Sequence, residues 1–121
     1  MRGIVERLIQ WRPFGPVAEI APEELAEAVA RAAVQVVDVR TAGEFRRGHI
    51  PGARHLPITR FDPAAIAGLG LDPQRPVAAI CLTAHRSIPA VRQLRALGYD
   101  VRQLRGGMRA WRRQGFPVEG G

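Results

Sequence analysis

The chain contains one cysteine, Cys81, and it closes an apolar run, Val77-Ala78-Ala79-Ile80. Leu82-Thr83-Ala84-His85-Arg86-Ser87 follows, and a helical pattern begins at Ser87. A strand that delivers a thiol to a turn, with a helix starting just beyond, aims peptide N–H groups and the positive end of a helix dipole at the sulfur. A free thiol titrates near ~8.5, so a nucleophilic thiolate at neutral pH needs such help. Arg86 brings further positive charge, and His85 adds to it when protonated. The chemistry predicted is attack by a solvent-reachable thiolate on small anionic substrates. The bland alternative is a small buried hydrophobe at a strand end. A loop closing on Arg86-Ser87 at a helix start favours the chemical reading.

The rest of the composition bounds the setting. A chain of 121 residues, 46% hydrophobic and 24% charged, has the size and balance of one globular domain with one core. No apolar run approaches a membrane span. The first 16 residues mix Arg2, Glu6, Arg7 and Arg12 with Ile4, Leu8 and Ile9, unlike the unbroken apolar centre of an export signal. A lone cysteine forms no internal disulfide and builds no cysteine-based zinc site. His49, His55 and His85 have no metal-ligand spacing. We therefore expect a cytoplasmic protein without metal or organic cofactor.

The formal charge of +7 is carried by arginine alone, since lysine is absent. The arginines crowd toward the C-terminus, from Arg92 to Arg113. Attraction for small oxyanions or an acidic protein partner fits that charge. Nucleic acid is not expected, because few aromatic side chains interleave with these arginines. Most of these arginines read as solvated helix faces.

Elements of alternating type must position the thiol. Val17 to Ile20 reads as a short strand. Pro22, Glu23 and Glu24 open a helix whose core face is Leu25, Val29 and Ala32. Val34 to Val39 has the near-continuous β-branched character of a strand buried on both faces. Thr41-Ala42-Gly43-Glu44 has capping-box spacing, opening a short helix that stops at Gly48. Arg54 to Ile58 reads as a short strand, and Asp62-Pro63 as a helix start. Pro76 to Ile80 is a second buried strand. Ile88, Val91, Leu94 and Leu97 mark the core face of the helix from Ser87, which Gly98 ends. Val101 to Leu104 is another strand, and Gly106-Gly107 precedes a helix with Met108 and Trp111 turned inward. This alternation predicts an α/β fold with a mainly parallel sheet. Ligands of such sheets sit beyond the carboxyl ends of strands, where Asp38 and Cys81 fall.

The motifs together resemble the single-domain rhodanese family of sulfurtransferases. The resemblance is carried by Val37-Asp38-Val39-Arg40, Glu44-Phe45 and Gly48-His49-Ile50-Pro51-Gly52-Ala53. It continues through Cys81 leading into Arg86-Ser87, Leu97-Gly98-Tyr99, Leu104-Arg105-Gly106-Gly107-Met108, Ala110-Trp111 and Gly115-Phe116-Pro117-Val118. It covers about residues 17 to 119, so 17–121 is expected to be the domain and 1–16 an N-terminal extension. Within that extension Ile4, Val5, Leu8, Ile9 and Trp11 fit an amphipathic helix.

The resemblance implies a central parallel sheet flanked by helices on both faces. It also implies a sulfur cycle, in which Cys81 takes sulfane sulfur from a donor such as thiosulfate and holds it as a persulfide. The sulfur then passes to a thiophilic acceptor, a thiol or cyanide. The backbone of Leu82, Thr83, Ala84, His85, Arg86 and Ser87 would cradle the outer sulfur or the donor's oxyanion. Phosphatases and arsenate reductases of related fold carry their arginine six positions after the cysteine. Here Arg86 follows by five, which suits a smaller sulfur centre. A non-catalytic sulfur-carrier or protein-binding module of the same fold is the alternative.

Two loop positions depart from the family pattern. Ala84 stands where glycine is frequent, which strains the backbone by roughly 1 kcal/mol if φ is positive. Leu82 replaces a polar rim residue. Asp38, Arg40 and His49 read as supporting residues: a buried aspartate bonding to loop N–H groups, a structural arginine, and a loop anchor.

Overall fold

The computed structural model describes residues 17–120. The N-terminal extension and the amphipathic helix expected within it lie outside the described residues. The order of elements is β1 (Glu19–Ile20), α1 (Pro22–Ala30), β2 (Gln35–Asp38), α2 (Ala42–Arg47) and β3 (Arg54–His55). A 3-10 turn (Ile58–Arg60), α3 (Pro63–Ala67), β4 (Val77–Ile80), α4 (Ser87–Ala96), β5 (Val101–Leu104) and α5 (Gly107–Arg113) complete it. The strands form one sheet in the order β1-β5-β4-β2-β3, every pair parallel.

The central strands are short and buried throughout, as their β-branched composition predicts. Alternate side chains on them point to opposite faces. Val37, Ala79 and Cys81 join Ile66, Val91 and Leu94 in one core, against α3 and α4. Val36, Ala78 and Ile80 join Leu25, Met108 and Trp111 in the other, against α1 and α5. The sheet thus has helices on both faces, as expected. Cys81 shares its face with the helix that follows it.

Local rules set the ends of the elements. Thr41 and Glu44 form the reciprocal capping box, with Glu44 N–H donating to Thr41 Oγ1 and Thr41 N–H to Glu44 Oε1. Asp62 caps α3, its Oδ1 accepting from Ala65 N–H at 2.8 Å, with Pro63 at the first helical position. Pro89 sits in the first turn of α4, where a missing N–H removes no helical bond.

Three local expectations are corrected. The strand expected over 54–58 stops at His55, because Pro57 has no N–H to donate and the chain tightens into the 3-10 turn. Ala32 lies beyond α1 with φ +55° and is exposed, so it does not face the core. Leu97 caps α4 and is 48% exposed, while Val91 and Leu94 before it are fully buried.

Candidate active site

The carboxyl ends of β2 and β4 bring Asp38 and Cys81 to one edge of the sheet, with Asp38 paired in register to Ile80. Cys81 is the first residue past β4. Its carbonyl accepts from Met108 N–H at 2.8 Å, and that of Leu82 accepts from Arg109 N–H at 3.1 Å. The first turn of α5 thereby holds the start of the loop. This contact requires the glycine at its centre. A Cβ on Gly107 would lie 2.4 Å from the Cys81 carbonyl oxygen and 2.5 Å from that of Leu82, and its φ is +60°. From the sequence Gly106-Gly107 read as a break before a helix and as part of the family pattern, with no sign of this contact.

The loop from Leu82 to Arg86 has no regular structure before Ser87 opens α4. Ala84 adopts φ +74°, the left-handed conformation that the glycine-to-alanine departure put in question. Its side chain is buried, whereas Thr83 and His85 are exposed and Leu82 is half-buried. His85 is therefore a rim residue.

Cys81 is only 1% exposed, which corrects the expectation of a solvent-reachable sulfur. One side of it is the apolar core beneath α4. The other is polar: Ser87 Oγ lies 3.5 Å from Sγ and 2.7 Å from Gln103 Oε1.

Arg86 does not face the sulfur as a free cation. Its Nη1 and Nη2 donate to Glu44 Oε1 and Oε2 at 2.7 and 2.8 Å, a two-pronged ion pair with α2. The hydrogen bond from Arg86, joined by bonds from Thr41, lowers Glu44 to about 2 from its ordinary 4.5, against the opposing effect of burial. Glu44 raises Arg86 in turn. Sequence reasoning read Glu44 as a helix cap and missed this second partner, 42 residues away.

Asp38 and Arg40 form a buried ion pair. Arg40 Nε donates to Oδ1 at 2.9 Å and Nη2 to Oδ2 at 2.7 Å, while Arg40 N–H also bonds to Oδ1. The remaining reach of Nη2 goes to the Gly48 carbonyl at 2.8 Å. The pair ties the end of β2 to the end of α2. His49 is a loop anchor. Its Nδ1 contacts the Phe45 carbonyl at 2.7 Å, its ring stacks on Phe45, and its backbone bridges to Glu119. Phe45 is stacked on its other neighbour, His55, whose Nε2 meets the Arg40 carbonyl at 2.7 Å. His55 was not singled out from the sequence, where nothing marks a ring stack made across a turn.

Among the described residues no three His, Cys, Asp or Glu side chains come together in a way that could hold a metal ion. No described helix is long and apolar enough to cross a membrane.

Residues 21–114 match the Rhodanese-like domain family. A sulfurtransferase of Allochromatium vinosum is 38% identical over 104 residues, spanning 84% of this chain and 94% of that protein. Thiosulfate sulfurtransferase GlpE of Stutzerimonas stutzeri is 37% identical over 92 residues, spanning 75% and 82%. The crystal structure of a rhodanese-related protein from Thermoplasma volcanium superposes with a TM-score of 0.74 at 30% identity, covering 84% of this chain and 97% of that one. In two other curated relatives, 35% and 37% identical, the chain spans only about half of the length, 54% and 46%. A family match across most of the sequence, on a fold shared with these relatives, places the chain in the rhodanese-like domain family.

Proposed function

We propose that the chain is a sulfurtransferase in which Cys81 carries the transferred sulfur as a persulfide. The observation that supports this most is the placement of the sole cysteine. It stands at the carboxyl end of a central strand, on a loop held at its start by α5 and at its end by Glu44. Two-point anchoring of a short loop fixes a nucleophile while leaving the residues between free to admit a donor.

With thiosulfate, the Cys81 thiolate attacks the sulfane sulfur. The bond between that sulfur and the sulfonate breaks, and sulfite leaves with the electron pair. A thiolate or cyanide acceptor then attacks the outer sulfur, and Cys81 departs as thiolate. Peptide N–H groups of Leu82 to Ser87 serve this cycle by stabilising the charge that develops on sulfur. Because the sulfur is buried, loop movement precedes donor attack and is part of the cycle. Turnover tests the proposal directly. With thiosulfate and cyanide the protein is expected to release sulfite and form thiocyanate, and Cys81→Ser to form none. Equal rates in the two proteins contradict it.

The same burial favours a second reading, a module of this fold that binds a partner through its loop without transferring sulfur. A partner held equally by the parent chain and Cys81→Ala, in a protein inert toward every sulfane donor, would support that reading.

A further inference from the structure

A line of four polar groups runs from the sulfur across the sheet. Cys81 Sγ meets Ser87 Oγ at 3.5 Å. Ser87 Oγ lies 2.7 Å from Gln103 Oε1 on β5, and Gln103 Nε2 lies 3.1 Å from Glu19 Oε2 on β1. Ser87 and Gln103 are 0% and 5% exposed, so water does not replace these contacts.

The donor and acceptor types make the line directional. The Glu19 carboxylate accepts only, and its other oxygen faces Arg105 Nε at 3.5 Å. The Gln103 amide therefore turns its NH2 to Glu19 and its carbonyl oxygen to Ser87. A carbonyl also accepts only, so the single hydroxyl proton of Ser87 goes to Gln103. What Ser87 presents to Cys81 is a lone pair. That suits a thiol, whose S–H it accepts, and not a thiolate, which needs a donor. We infer that Gln103, oriented by Glu19, is a positioning residue that holds the Ser87 hydroxyl away from Cys81, so that the sulfur lacks that donor until the hydroxyl turns. Rotation of the hydroxyl from Gln103 to the sulfur gives a thiolate that donor.

The charged groups on the elements packed around Cys81 have other partners. Arg86 pairs with Glu44 while also interacting electrostatically with Cys81, Asp38 pairs with Arg40, and Glu19 with Arg105. His85 on the loop and Arg109 on α5 are exposed. The Ser87 hydroxyl is thus the group whose direction one buried amide decides.

The inference gives the proposed nucleophile a control, so it rests on that reading. Its test needs no sulfur donor. Thiolate ultraviolet absorbance against pH, read as the difference from Cys81→Ala, reports on Cys81 alone, because the chain has no other cysteine. It also needs no reagent to reach the buried sulfur. Gln103→Leu removes the acceptor, and Ser87 then donates to the thiolate. A charge-assisted hydrogen bond exceeds a neutral one by about 1.4 kcal/mol, so the thiolate-to-thiol ratio below the midpoint should rise ~10-fold. Gln103→Met, which fills the same space with a flexible chain, should give the same shift and covers the case of a Leu variant that does not fold. Gln103→Leu/Ser87→Ala should lose the gain, because no hydroxyl remains to turn. The inference is overturned if the folded Gln103 variant titrates with the parent, or if the double variant keeps the shift. Those outcomes leave sulfur transfer untouched, and failed sulfur transfer leaves the titration readable.

Discussion

Glu44 and Arg86, 42 residues apart in sequence, meet through two parallel hydrogen bonds of 2.7 and 2.8 Å. The same carboxylate closes the capping box with Thr41. One side chain therefore starts helix α2 and fixes the end of the Cys81 loop. Both groups are partly solvated, with 21% and 35% of their side chains exposed, so the pair adds geometry more than stability. Glu44→Gln should cost only about 1 kcal/mol of stability. It should lower kcat for sulfur transfer more than it raises KM for the donor, because the loop is held less well in its reactive geometry. Thermal melts and steady-state kinetics on the same preparation check this. A KM effect with unchanged kcat would show that Arg86 instead binds the donor.

The pH dependence of that anchor has a definite sign. Glu44 is held at about 2 in the fold, below its ordinary 4.5. A lowered carboxyl stabilises fully above its unfolded value and loses that contribution as pH falls through the folded one. Stability should therefore decline between pH 4.5 and about 2 more steeply in the parent chain than in Glu44→Gln. Denaturant melts across that range measure it. Parallel curves for the two proteins would contradict the assignment.

Ala84 sits at φ +74°, where a side chain costs roughly 1–2 kcal/mol and glycine is at ease. Glycine's larger loss of chain entropy offsets part of the gain. Ala84→Gly should stabilise the fold by about 0.5–1 kcal/mol, a rise in Tm of roughly 2–5 °C. A fall in Tm would show that burial of the alanine methyl outweighs the backbone strain.

Gly107 is the opposite case. Its substitution by alanine drives a methyl into the Cys81 and Leu82 carbonyls. The two N–H bonds from α5 and the left-handed backbone are lost or strained together, costing roughly 2–5 kcal/mol. Gly106→Ala makes a useful contrast, since there the added Cβ meets the Ala110 side chain and not the loop. Sulfur transfer should suffer far more from the change at 107, at temperatures where both variants are folded. Equal activity in the two would separate α5 from the loop.

Asp38→Asn leaves the Arg40 guanidinium buried without its charge partner. Such breakage costs ~3–5 kcal/mol, and urea unfolding should show it. A variant as stable as the parent would mean that the Gly48 carbonyl alone satisfies Arg40.

The residues that could be read from the sequence are those whose partners are near in the chain. Thr41 and Glu44, three apart, and Asp62 with Pro63 mark helix starts by spacing alone. The β-branched run ending at Asp38 and the apolar run ending at Ile80 mark the two central strands. Ala84 stood out because the family resemblance puts glycine at its place, and it adopts the positive φ. Contacts between distant segments left no such mark. Nothing local ties Glu44 to Arg86, Gly107 to the Cys81 carbonyl, or Gln103 to Ser87. Gln103 even breaks the apolar pattern of β5, and only the folded sheet shows the hydroxyl it serves. The burial of Cys81 was likewise illegible, because it depends on how the loop and the core beneath α4 close around the sulfur.

Cys81 Sγ is the atom proposed to carry sulfur, and intact mass is the most direct measure of it. After incubation with thiosulfate or a persulfide donor and removal of excess reagent, the protein should be heavier by one sulfur atom. Cyanide should remove that sulfur, and Cys81→Ala should never gain it. A parent chain whose mass is unchanged by every donor, or a Cys81→Ala variant that gains the same sulfur, would contradict the account.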